Sequence, residues 1–156
     1  YKEKVKGIVL LDPPPLNWLL GNSFQELKKM AVSQSEQFKI MAEDAHAKGG
    51  DDEIKKYNFF TALYSEHTEM FGKSARLADS IMTFGNLPVT VIASTVPNPR
   101  FGKDAEEFQK FWIDESGKLA AKSSAGKFIA AKDSRHHIHI DKQDLVVKEI
   151  LEILNK

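Results

Sequence analysis

The chain has 156 residues, 42% hydrophobic and 28% charged, with 22 Lys plus Arg against 22 Asp plus Glu and so no formal net charge. That length fits one domain with a real core, and the charge balance argues against a general electrostatic grip on nucleic acid or an anionic membrane, both of which need excess positive charge. No apolar run approaches a membrane span, KEKVKGIVLLDPPP lacks the makings of a secretory signal, and the absence of cysteine removes disulfides, thiolate nucleophiles and zinc–thiolate sites together.

Residues 5–11, VKGIVLL, predict a buried strand that DPPP at 12–15 stops, because proline carries no ladder donor. Asp12 therefore lies at the strand's end or in the loop beyond. Ser23 and Glu26 have capping-box spacing, and Phe24, Leu27, Met30, Ala31, Phe38, Met41 and Ala45 follow at helical period, which predicts a helix over 24–46. KGGDDE at 48–53 is a turn leading into acidic residues suited to a helix start. Ile54, Tyr57, Phe60, Leu63, Tyr64 and Phe71 predict a second helix, and SARLADSIMTF a third, shorter one over 74–84. This aromatic and methionine-rich region can close over an apolar ligand, although stripes of this kind usually pack against another helix.

VTVIAS at 89–94 predicts a second apolar strand, VPNPRFG at 96–102 a loop, and 104–122 a helix weakened by the interior Gly117. SSAG at 123–126 turns the chain into a third strand at 127–131, and Leu145, Val146, Glu149, Ile150, Ile153 and Leu154 describe a final helix that Asp141 is placed to cap. The fold class expected is α/β: three parallel strands with flanking helices and a helical insertion, since strands apolar throughout are buried on both faces. Residues 1–12 and 86–156 form the core of that expectation, and 13–85 the insertion. Three such strands leave an uncovered edge or face.

The stretch SRHHIHID, 134–141, places three histidines within four positions just past the third strand. In an open parallel sheet, ligand chemistry collects beyond the carboxyl ends of the strands. Asp12 follows the first strand, the segment ending at Asp104 the second, and residues 132–140 the third, so a carboxylate and an imidazole can meet there. His136, His137 and His139 lack the spacing of a metal pair on one helix face, and no soft fourth ligand exists, so neither a metal nor a cofactor is implied. His46 and His67 read as surface or packing residues.

The pattern formed by Ser134, His136, Ile138, His139, Asp141, Leu145 and Val146 resembles the histidine loop and last helix of α/β-hydrolases, IVLLD at 8–12 that family's sixth strand, and LPVTVIAS at 87–94 its seventh. The resemblance covers essentially the whole chain, strongly over its last thirty residues, and implies the C-terminal half of such a sheet with 13–85 as its cap or lid. It implies a serine-nucleophile hydrolase acting on a carboxylic ester with an apolar part, in which His136 is the base. Asp12 is the preferred orienting acid, a position some members use, and Asp104 the competitor. The competing readings are strand-end solvation for Asp12 and helix capping for Asp104. Arg135 departs from the usual glycine and sets a cation beside the base, which should oppose protonation of the imidazole. Gln143 replaces a usual proline, a milder change.

No Gly-x-Ser-x-Gly elbow occurs, and no Gly-rich oxyanion turn. The expectation is that this chain supplies base, acid and cap, while an N-terminal half, on a separate polypeptide or otherwise outside these residues, supplies nucleophile and oxyanion donors. Tyr1, where an initiator Met would stand, points to processing, an engineered boundary or a start inside a longer protein. A cytoplasmic location is expected. The alternative is a non-catalytic binding or structural protein that retains the hydrolase-like half-fold.

Overall fold

A computed structural model describes residues 5–155, so Tyr1 lies outside the described residues. The described chain divides into two compact units, one formed by the residues up to Pro15 and from Ile81 onward and the other by Leu16–Ser80.

The first unit is a mixed α/β structure built on a three-stranded parallel sheet: β1 (Ile8–Leu11), β2 (Val89–Ser94) and β3 (Gly126–Ala131), in that spatial order. Ile8 pairs with Val89 and Val89 with Gly126, so all three strands end at one rim. β1 is shorter than expected because only from Ile8 does β2 offer partners; before it, Lys6 donates from Nζ to the Leu154 carbonyl. All six residues of β2 are buried, as a central strand covered on both faces requires.

The side chains sort by the two-residue period of the strands. Ile8, Leu10, Val89 and Val91 pack with Ala120 and Leu119 of α5 (Ala105–Ala120). Val9, Leu11, Ile92, Ile129 and Ala131 pack with Ile138 of the one-turn α6 (Ile138–Asp141) and Leu145 and Val146 of α7 (Gln143–Leu154). Helices thus cover both faces, and the openness expected from so few strands is found at one edge of the sheet: β3 is exposed over most of its length. Lys127 of this strand donates from Nζ to the Glu149 carboxylate at 2.7 and 2.6 Å and to Glu152 at 2.9 Å. Glu149 is buried on α7, so this cation is what balances an interior charge. β3 opens with Gly126 because a Cβ there would run into the Ala120 carbonyl oxygen.

The second unit holds α1 (Leu16–Leu20), α2 (Gln25–Lys48), α3 (Asp51–Met70) and α4 (Lys73–Asp79). Rings join these helices: Trp18 meets Phe71 edge-on at 5.4 Å, Phe38 stacks with Phe60 at 6.5 Å, and His67 and His46 pack on Phe38 and Tyr57 at 5.2 and 5.0 Å. The expected capping box is absent. Phe24 precedes α2 in the left-handed conformation (φ 52°) with no side-chain cap, which moves Ser23 one residue away from the capping position. α1 carries no periodic signal long enough to read, and α4 ends five residues before the expected helix. Residues from Ile81 onward belong to the first unit, where the Ile81 carbonyl accepts from Lys122 and Phe84 packs on the sheet. Likewise α5 begins only after a 3₁₀ turn, Pro99–Asp104, that the Asn98 side chain opens by accepting from the Arg100 amide at 3.1 Å. Among the described residues no helix is long and apolar enough to cross a membrane.

Candidate active site

The three strand ends deliver the site. β1 terminates at Asp12, whose amide donates to the Ile92 carbonyl at 2.7 Å and whose φ of 48° is a left-handed conformation that Asp tolerates better than most residues. This turns the side chain over the end of β2. There Oδ1 accepts from the Ser94 amide at 2.8 Å, Oδ2 accepts from the Ser94 hydroxyl at 2.9 Å, and Asp12 is 4% exposed. Beyond β3 the chain returns to the same place, and Nδ1 of His136 lies 2.8 Å from Asp12 Oδ2.

The histidine loop is pinned at several points. Ser134 is fully buried, and its carbonyl accepts from the amides of Thr95 and Val96, each at 3.0 Å. Thr95 Oγ1 donates to the Ala131 carbonyl and accepts from the Asp133 amide. Ile138 anchors the far side of the loop in the core. Across the loop, Asp141 accepts from the Arg135 amide at 2.9 Å, from Nε at 3.2 Å and from Nη2 at 2.9 Å. Asp141 was expected to cap the last helix; it makes no side-chain cap, and Lys142 occupies that position. The bidentate guanidinium is a stronger partner for a carboxylate than a single amide, and with the backbone bond it holds Asp141 down at about 2.

The hydrogen bond to Asp12 raises the affinity of His136 for a proton, against the opposing effect of partial burial and with help from the charge of Asp12. The Arg135 cation was expected to work the other way. Its guanidinium is committed to Asp141, and the imidazole follows Asp12. The ring is 64% exposed, so its Nε2 edge is reachable from outside while Nδ1 is tied down.

The structure brings Asp12 and His136 together; no hydrogen bond or ion pair joins Asp104 to His136 among the described residues. Asp104 stands at the N-terminal cap position of α5, where the capping alternative put it, with no side-chain hydrogen bond to the helix. His137 and His139 are exposed, with ring centroids 5.3 and 6.0 Å along the series 136, 137, 139. Among the described residues no group of three His, Asp or Glu side chains is arranged to hold a metal ion.

Two residues of this site were missed in the sequence. Ser94 supplies two donors to Asp12, and Gln109 of α5 donates from Nε2 to the Ser94 carbonyl at 2.8 Å and to Ser94 Oγ at 3.3 Å. A signal for Gln109 existed: it is a polar residue four positions after Ala105 and beside Phe108, both on the buried side of α5. Neither Ser94 nor Ser134 is set to act as a nucleophile on His136. The Ser94 hydroxyl lies on the Asp12 side of the ring with its proton committed to the carboxylate, and the Ser134 hydroxyl donates to the Arg135 carbonyl. Comparison with protein-family models, with curated proteins and with solved structures finds no match to this chain.

Proposed function

We propose that this chain is the histidine-bearing part of a serine-nucleophile hydrolase acting on a carboxylic ester with an apolar portion. The observation that carries the reading is the buried Asp12 carboxylate 2.8 Å from Nδ1 of a part-exposed His136, at the shared carboxyl rim of parallel strands. A carboxylate on Nδ1 keeps the proton there, so Nε2 offers its lone pair outward and the imidazolium that forms is stabilised. In the proposed reaction Nε2 takes the proton of a serine hydroxyl as its oxygen attacks the ester carbonyl carbon. The alcohol then leaves with that proton, and water attacks the acyl-serine by the same route in reverse. The sequence holds no nucleophile elbow, so the serine and the oxyanion donors come from polypeptide outside residues 1–156. Residues 13–85 serve as the cap in this reading, and a cytoplasmic location accompanies it.

The test is labelling of the native material with a serine-reactive fluorophosphonate. A labelled serine on a companion segment, lost in His136→Ala, supports the reading; a complete native assembly that carries no reactive serine favours a non-catalytic binding protein. The 156-residue chain alone is expected not to turn over a chromogenic ester, and His136-dependent turnover by it would place the nucleophile within these residues.

A further inference from the structure

We propose that Gln109 of α5 is a positioning residue, acting through Ser94 to fix the Asp12 carboxylate and with it the tautomer of His136. This deepens the hydrolase reading and rests on it for its catalytic meaning, but its geometry stands on hydrogen-bond chemistry alone.

The series can be followed donor by donor. The Ser94 backbone carbonyl only accepts, so the end of the Gln109 carboxamide that lies 2.8 Å from it is the amine end; an oxygen there would face an oxygen. The same Nε2 lies 3.3 Å from Ser94 Oγ, which therefore accepts. The single hydroxyl proton is left for Asp12 Oδ2 at 2.9 Å. A carboxylate oxygen also only accepts, so the remaining contact at Oδ2, 2.8 Å away, is a donation from His136 Nδ1–H. Every orientation is then determined in sequence, from Gln109 through Ser94 and Asp12 to an imidazole whose lone pair sits on Nε2. Ser94 is buried and Gln109 half-buried, so water competes weakly for these donors. Four elements meet in the series: the end of β1, the end of β2, α5 and the loop after β3. Among the described residues, the charged and titratable groups that meet His136 or its neighbour Arg135 include Asp12, the mutually satisfied Arg135 and Asp141, and the His137 ring.

The direction of the effect separates positioning from mere structural support. Ser94→Ala removes one donor from Oδ2 but keeps the pair, leaving more negative charge for the imidazole, so the His136 titration midpoint moves up. A variant that only loosened the fold would detach Asp12 and move that midpoint down. The experiment is an NMR titration of the imidazole of the full 156-residue chain, with His136→Gln for assignment and far-UV circular dichroism to verify folding. Gln109→Met preserves length and volume while deleting the donor. It is expected to raise the midpoint by less than Ser94→Ala does, and Ser94→Ala/Gln109→Met is expected to match Ser94→Ala alone, because Gln109 acts through that hydroxyl. A downward shift in Ser94→Ala, no shift in Gln109→Met, or additive shifts in the double variant would overturn the proposal. The titration needs neither substrate nor nucleophile, so its failure is distinguishable from a failure of serine labelling, which bears on the hydrolase reading itself.

Discussion

Asp12 and His136 are 124 positions apart in the chain, yet one carboxylate oxygen of the first lies 2.8 Å from Nδ1 of the second. Because this bond raises the folded-state affinity of His136 for a proton, its contribution to stability is fully present below the ordinary imidazole value of 6.5 and is lost as pH rises through the higher folded midpoint. Asp12→Asn removes the cause while the partial burial stays, so the His136 midpoint is expected to fall to or below 6.5 by NMR titration. An unchanged midpoint would show that Asp12 does not govern the ring.

The pair Arg135–Asp141 is expected to be indifferent to pH across the neutral range. Its carboxyl titrates at about 2 in the folded chain against 3.8 ordinarily, so the stability it adds is present above 3.8 and is lost only as pH falls through about 2. Asp141→Ala should change global unfolding only slightly, because the guanidinium is exposed, yet speed hydrogen exchange at the Arg135 amide, which loses its acceptor. Equal exchange in the two proteins would mean that Asp141 does not close the loop.

Lys127→Met strands the Glu149 carboxylate, whose side chain is 2% exposed. Breaking a fully buried pair costs about 3–5 kcal/mol; with Lys127 44% exposed, a loss of about 2 kcal/mol is expected in urea unfolding. Lys127→Met with Glu149→Leu should recover most of that loss, since the uncompensated charge is then gone.

Ile138 is fully buried against Ile92, Ala131 and Val146. Ile138→Ala should cost about 2–5 kcal/mol in denaturant unfolding. It should also broaden the His136 resonance, because the loop loses its anchor one residue beyond the exposed His137. A sharp, unshifted resonance would show that the pins at Ser134 and Asp141 suffice without it.

Periodicity and composition determined the three strands to within a few residues, the long helices of 16–80 and the helix after each of the last two strands, because burial of apolar side chains at a fixed local period is written in neighbouring residues. They also placed Asp12 and His136 at strand ends, where a parallel sheet must bring its loops to one rim. What the sequence left open were matters settled by groups distant in the chain. Asp12 and not Asp104 reaches the imidazole because the left-handed turn at Asp12 sends its carboxylate over β2. Asp141 leaves the helix it was expected to cap because Arg135 offers it two charged donors and a backbone amide. The helix expected over 74–84 ends early because residues from 81 find partners around Lys122. Ser94 carries no local pattern of its own and Gln109 only its place beside the buried side of α5, for a hydrogen bond between side chains depends on where tertiary packing sets two atoms, and the spacing of residues along the chain holds no record of that.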